Sequence, residues 1–178
     1  MRRSLSCHPS ARCDAVAEVT ADVELDGDVL VVAFGIVGAR LRIPGAPLDP
    51  ERLWAHTCGE LFVMPDGGEA YVEHNFSPTG QVACFEFSAY RERVPSSHAV
   101  GSVATTRDDR TLVLAARAPL APGLAAARIA LTAVVEDEHG ALSYWALRHP
   151  LDRPDFHHPG GFALSLTLGA APAIVDVV

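Results

Sequence analysis

The chain has 178 residues, with 14 basic against 22 acidic side chains and a net charge of −8 with His neutral; 49% of it is hydrophobic. That length suits one domain with a sizeable core, and the composition is neither disordered nor fibrous. All fourteen basic residues are Arg, so chemistry that needs a lysine amine (a Schiff base or a Walker-A phosphate grip) is excluded, and an acidic chain without a basic cluster argues against a nucleic-acid partner.

In chain order, Met1-Arg2-Arg3 has no apolar run behind it, because Cys7, His8, Arg12 and Asp14 intervene; no signal peptide is read. Residues 1–12 are expected to fray, as are 170–178. Over residues 15–25 the odd positions are apolar and the even ones mostly polar, which predicts a strand with one wet face. Asp26-Gly27-Asp28 reads as a hairpin turn. Strands follow at 29–34 and 36–43, and Pro44, Gly45 and Pro47 end the second. The apolar stretch 29–39 is too short for a bilayer, which takes about 20 residues, so no membrane span is expected.

Further strands are predicted over 60–64, 70–76, 82–90, 111–117, 128–136, 142–147 and 162–168. Turn clusters such as Asp66-Gly67-Gly68 and Ser77-Pro78-Thr79-Gly80 separate them. Residues 120–127 are read as one helical turn. About ten short strands predict an all-β fold, an antiparallel β-sandwich of immunoglobulin-like or jelly-roll-like kind, as a single domain over 1–178. Cys7, Cys13, Cys58 and Cys84 form no CxxC pair. They read as free thiols of a cytoplasmic protein, a Cys7–Cys13 bridge being the alternative in an oxidising compartment.

The rare residues cluster. Seven of the twelve aromatic residues lie between Trp54 and Tyr90, together with the only Asn (Asn75), the only Gln (Gln81) and the only internal Met (Met64). Extended geometry puts Cys58, Glu60, Phe62 and Met64 on one strand face, and Tyr71, Glu73 and Asn75 on one face of the next. Three adjacent antiparallel strands would bring Glu60, Glu73, Asn75, Glu86, Tyr90 and Arg91 near one another, in a register that sequence does not define.

The stretch Leu53-Trp54-Ala55-His56-Thr57-Cys58-Gly59-Glu60-Leu61-Phe62-Val63 resembles the core motif of bacterial DOMON-like domain proteins. The resemblance continues through Tyr71-Val72-Glu73-His74-Asn75-Phe76-Ser77-Pro78-Thr79-Gly80 and Phe87-Ser88-Ala89-Tyr90-Arg91. It includes Arg153-Pro154-Asp155-Phe156-His157-His158-Pro159 with Phe162, and His8-Pro9, so it spans nearly the whole chain. That family is similar in fold to family-nine carbohydrate-binding modules and haem-binding DOMON cytochrome domains. The resemblance implies a curved β-sandwich with a ligand on its concave face. Two positions depart from the motif: Val82 stands where an aromatic is expected, and Gly59 where a bulky residue is expected. Haem in DOMON cytochromes is held by Met and His; Met64 is the one Met available, and no His is paired with it by spacing.

Each polar signal has a plainer alternative. Glu60, Glu73 and Arg91 form either a ligand-gripping patch or a structural ion-pair network. Trp54 and Trp145 either stack on a sugar ring or pack in the core. His149, Asp155, His157 and His158 offer metal ligands, but such a turn usually caps a strand, and no metal site is expected. Two carboxylates also suit a glycosidase, but acidic pairs on strands are common. Cys58 and His56 lie too far apart along a strand for a thiolate–imidazole pair, and no G-x-S-x-G elbow exists. The expectation is a non-enzymatic domain that binds a carbohydrate-like small molecule, with no cofactor, through Trp54, Glu60, Glu73, Asn75, Tyr90, Arg91 and Trp145. The alternatives are a haem domain using Met64, and an interaction protein that forms a homodimer through its edge strands.

Overall fold

Alternating side chains build strands throughout the chain. The computed structural model describes residues 2–169 and 171–177. Among these lie thirteen strands: β1 (Arg2–Cys7), β2 (Val16–Asp26), β3 (Val29–Gly38), β4 (Cys58–Pro65), β5 (Tyr71–Phe76), β6 (Val82–Ala89), β7 (Glu92–Val94), β8 (Ser102–Arg107), β9 (Thr111–Pro119), β10 (Ala126–Glu136), β11 (Leu142–Ala146), β12 (Leu164–Thr167) and β13 (Ala173–Asp176). The hydrogen-bonded order is β7-β6-β5-β4-β10-β11-β1-β2-β3-β9-β8, with β12 on β10 and β13 on β12.

β1 makes this path a sandwich. Its first part, Arg2 to Leu5, pairs with β2, and its end, Ser6 and Cys7, pairs with β11. One strand thus belongs to both layers, and the sheet folds over at it. The inward faces of the two layers meet in the main core. Val19, Phe34 and Leu114 come from one layer, and Leu61, Phe76 and Leu131 from the other, all fully buried. Burial of this kind is the main favourable term in folding, about 25 cal/mol per Å² of apolar surface.

The all-β sandwich and most strand positions follow the sequence pattern; several details differ. Residues 2–7, expected to fray, form the strand that joins the layers, because Leu5 enters the core. Ala173–Asp176 likewise pairs with β12. The two strands expected at 29–34 and 36–43 are one strand, paired with β2 and β9 along its length. Residues 120–127 make no helical turn: Gly123 takes a turn conformation and β10 begins at Ala126. The extra strands β7 and β8 lie at the path ends and are mostly exposed, so they carry little apolar alternation. In β2 a register shift between Val16 and Glu18 lets Val16, not Ala17, point inward.

A second apolar cluster covers the opposite face of the β4 layer. Phe62, Tyr71, Phe85, Phe87 and Ala130 stand on its strands. Leu53, from the helical turn Pro50–Ala55, and Phe162 pack onto them from outside. The candidate site lies beside this cluster.

Candidate functional site

Strand alternation decides what faces outward here. Glu60 on β4 is paired with Asn75 on β5 and with Thr132 on β10, and Phe62 is paired with Glu73. Glu60, Glu73, Asn75 and Thr132 therefore share the outer face. Glu60 and Glu73 are diagonal neighbours, close enough for long side chains to reach each other.

The cavity on this face measures about 550 Å³, within the range of small-molecule sites. Glu60, Glu73 and Val134 line it from the sheet, and Phe85 and Phe87 from β6. Glu51 and Trp54 stand on the helical turn, and Arg91 and Arg93 on and after the β6–β7 bend. The segment after β11 closes the far side with Pro154, Asp155, Phe156 and His157, next to Tyr144. Trp54 is 46% exposed and fastened by its indole N–H to the Glu51 carbonyl at 3.2 Å.

Four acidic side chains on or beside this face are almost fully buried, and they are treated differently. Glu136 accepts from Arg42 at 3.0 Å and contacts His56 Nδ1 at 2.8 Å. Asp155 accepts from the Tyr90 hydroxyl, from Arg91 at 2.9 Å and from the His157 backbone N–H at 3.2 Å. Burial alone would raise the Asp155 pKa, but these hydrogen bonds outweigh it and hold the carboxyl below its usual range. Glu60, 3% exposed, receives only the Thr132 hydroxyl at 3.0 Å among the described residues. Glu73, 5% exposed, receives Asn75 Nδ2 at 2.5 Å and has His157 Nε2 at 3.7 Å. Burial, then repulsion from Glu73, pushes the Glu60 carboxyl well up. Burial pushes Glu73 up to about 7, against the Asn75 hydrogen bond and the more distant guanidiniums of Arg91 and Arg93.

His157 is tied into the same wall. Tyr71 accepts a hydrogen bond from the Arg91 N–H at 3.1 Å, and its own hydroxyl contacts His157 Nδ1 at 2.8 Å. Burial, and then Arg91, lowers the His157 pKa to about 4, so the ring is neutral at pH 7. If the Tyr71 hydroxyl donates to Nδ1, the ring's proton lies on Nε2, on the side of Glu73. Arg91 sits in the left-handed region at φ 59°, a conformation that costs a side chain about 1 kcal/mol and is held here by its bonds to Tyr71 and Asp155.

Of the residues the sequence singled out, Trp54, Glu60, Glu73 and Arg91 line the cavity. Asn75 is fully buried and aims its amide at Glu73. Tyr90 reaches Asp155 instead of the cavity. Trp145 is a correction: it pairs with Ala133, which turns it into the inter-sheet core, and its indole donates to Ser143 at 2.9 Å. Arg91 bonds Asp155 and not the Glu60–Glu73 pair, so the three do not form one ion-pair network. Met64 faces outward but is 2% exposed, with Arg128 3.0 Å from its sulfur, and does not line the cavity.

The His- and Asp-rich tail is divided among separate tasks. His158 accepts from the Gly160 N–H, while His149 contacts the Ser6 carbonyl and packs edge-on against His8. No group of three His, Cys, Asp and Glu side chains among the described residues could hold a metal ion. Sequence reasoning did not assign Asp155, Phe156, His157 or Tyr144 to the cavity. The Arg-Pro-Asp-Phe-His-His-Pro run was the signal for the first three, but its contacts lie more than sixty residues away in sequence.

Asp155 ties the closing segment to the sheet. Asp155→Ala is expected to cost about 2 kcal/mol, the scale for losing a buried, charge-assisted acceptor. It should also open residues 148–158 to limited proteolysis. Unchanged cleavage and unchanged thermal unfolding would remove Asp155 from that role.

No protein-family model matches the chain, and no curated protein matches it in sequence. Solved structures do. A Bacteroides uniformis protein, provisionally described as carbohydrate-binding, superposes with a TM-score of 0.68 at 18% identity, over 94% of this chain and 85% of its own. A family 9 carbohydrate-binding module from Caldicellulosiruptor kristjanssonii, solved in complex with glucose, aligns with a TM-score of 0.47 at 12% identity, over 72% of this chain and 65% of its own. The first of these likenesses shows that the chain shares the antiparallel β-sandwich fold of that protein.

Proposed function

We propose that this protein is a non-enzymatic, DOMON-like binding domain that holds a carbohydrate in the cavity over β4, β5 and β6. One observation carries the reading. Among the described residues Glu60 and Glu73 are buried at the cavity floor without a cationic partner in hydrogen-bond contact, whereas Glu136 and Asp155 nearby are bonded to arginines. Buried carboxyl groups cost free energy unless paired, so two that stay underpaired beside a cavity await a ligand's hydrogen-bond donors. Sugar hydroxyls supply such donors, and the exposed Trp54 ring offers an apolar face to a pyranose. The Bacteroides uniformis protein of like fold, provisionally described as carbohydrate-binding, supports the choice of ligand class.

The two tryptophans make the test direct. Trp145→Phe keeps a ring in the inter-sheet core and leaves Trp54 as the sole indole. Titrating that variant with monosaccharides and their soluble oligomers should shift Trp54 emission to shorter wavelength, with saturation. Glu60→Ala in the same background should weaken the response at least tenfold. Emission that no sugar alters, in a protein with an unchanged circular dichroism spectrum, rejects the proposal.

A further inference from the structure

Resting on that reading, we infer that the ligand carries a protonated amine, an amino sugar in its simplest form, and that this ammonium sits between Glu60 and Glu73. The argument is a charge count at the cavity wall. Four carboxyl groups line it, Glu51, Glu60, Glu73 and Asp155, against two guanidiniums, Arg91 and Arg93. Arg91 is bonded to Asp155 at 2.9 Å and Arg93 to Glu51 at 2.6 Å. Arg93 is also seated over the Phe85 ring, 4.0 Å from its centroid. Two carboxyls, those of Glu60 and Glu73, remain without a bonded cation. The chain has no lysine that could serve.

The groups that face this pair are known from each side. Around Glu60 stand Glu73, the Thr132 hydroxyl and the buried Cys58 thiol. Around Glu73 stand Asn75, the neutral His157 ring and, farther off, the two arginines. None of the near neighbours brings a positive charge. A sugar hydroxyl satisfies a hydrogen bond but brings no charge, so the pair keeps its proton. An ammonium donates to three acceptors and lets both carboxyls ionise, and the aromatic walls favour a cation over a neutral group. Because Glu60 and Glu73 hold protons more tightly than ordinary carboxyls, the incoming ammonium displaces protons from the pair to the buffer.

The experiment compares glucosamine, N-acetylglucosamine and glucose, which differ only in the substituent on the second ring carbon, with their soluble oligomers alongside. Isothermal titration is run at pH 7 in two buffers of different ionisation enthalpy. Expected are at least tenfold tighter binding of the glucosamine series than of the other two, and a heat that changes with buffer as protons are released. Glu60→Gln and Glu73→Gln, close in shape to the native side chains, should each reduce that preference to less than threefold. Glucose bound as tightly as glucosamine overturns the amine inference and leaves carbohydrate binding standing. A preference that survives both variants overturns the carboxyl assignment. No binding in any of the three series overturns this inference and the carbohydrate reading together.

Discussion

Gly59→Val should destabilise the fold by about 3 kcal/mol, at the upper end of what overpacking costs. A Cβ at Gly59 would lie 2.5 Å from Phe34 Cδ2, 2.8 Å from Cε2 and 2.9 Å from Cγ. The Phe34 ring comes from the opposite layer, is fully buried, and has Leu114 and Ala21 as its strand partners, so it has no free direction to move. The ring of Phe34 fills, from across the sandwich, the space that a side chain at position 59 would need. A double-mutant cycle tests the coupling. Phe34→Ala alone removes a buried ring and should cost about 3–5 kcal/mol. In Gly59→Val/Phe34→Ala the new side chain fills part of the void, so the double variant should lose clearly less than the sum of the two. Urea unfolding measures all four proteins. Additive losses, or a Gly59→Val loss below about 1 kcal/mol, would show that the two sites do not compete for space.

Glu73→Gln should stabilise the protein without ligand, increasingly as pH rises above 4.5. The Glu73 pKa is raised from an ordinary 4.5 to about 7 in the folded state. The folded protein therefore holds a proton that the unfolded chain has released between pH 4.5 and 7. Stability from this group is fully present below pH 4.5 and is lost as pH rises through 7. Glutamine has no proton to lose, so the gain of the variant over the native protein grows from near zero at pH 4 to about 2–3 kcal/mol at pH 8. His74 and His157 act in the opposite direction, since both have pKa values lowered to about 4 by burial. Their contribution is present above pH 6.5 and is lost as pH falls through 4; that of His74 is common to both proteins and cancels, and that of His157, 3.7 Å from Glu73, acts only below pH 6.5 and leaves the gain at pH 8 unaltered. Thermal unfolding across this pH range reads the curve. A difference independent of pH would mean that Glu73 is not held in the protonated form. A stabilising variant that also loses ligand is the pattern of a residue kept for binding at the expense of stability.

Much of the site's layout was legible before any tertiary information. Period-two alternation alone puts Glu60 with Phe62, and Glu73 with Tyr71 and Asn75, on common faces; the structure puts them there too. The concentration of rare residues between Trp54 and Tyr90 marked the stretch that supplies Trp54, Glu60, Glu73, Phe85 and Phe87 to the cavity wall. Alternation could not say that β11 pairs with β10 in the register that turns Trp145 inward. A shift of one residue would have placed it on the outer face. Nor could it separate the carboxyls that are bonded to arginines from those that are not, because their partners are remote: Arg42 for Glu136, and Arg91 for Asp155.

The sequence by itself determined which residues can form strands, which side chains share a face, and that any site chemistry here runs on carboxylates and arginines without lysine. These are local properties, written in a two-residue period and in composition. Tertiary structure alone decided that β1 joins the layers, that residues 153–157 fold back as a wall over β4 and β5, and that Glu60 and Glu73 are left facing a cavity. Those outcomes depend on contacts between distant segments and on how buried charges are shared among few cations, and no local pattern encodes either.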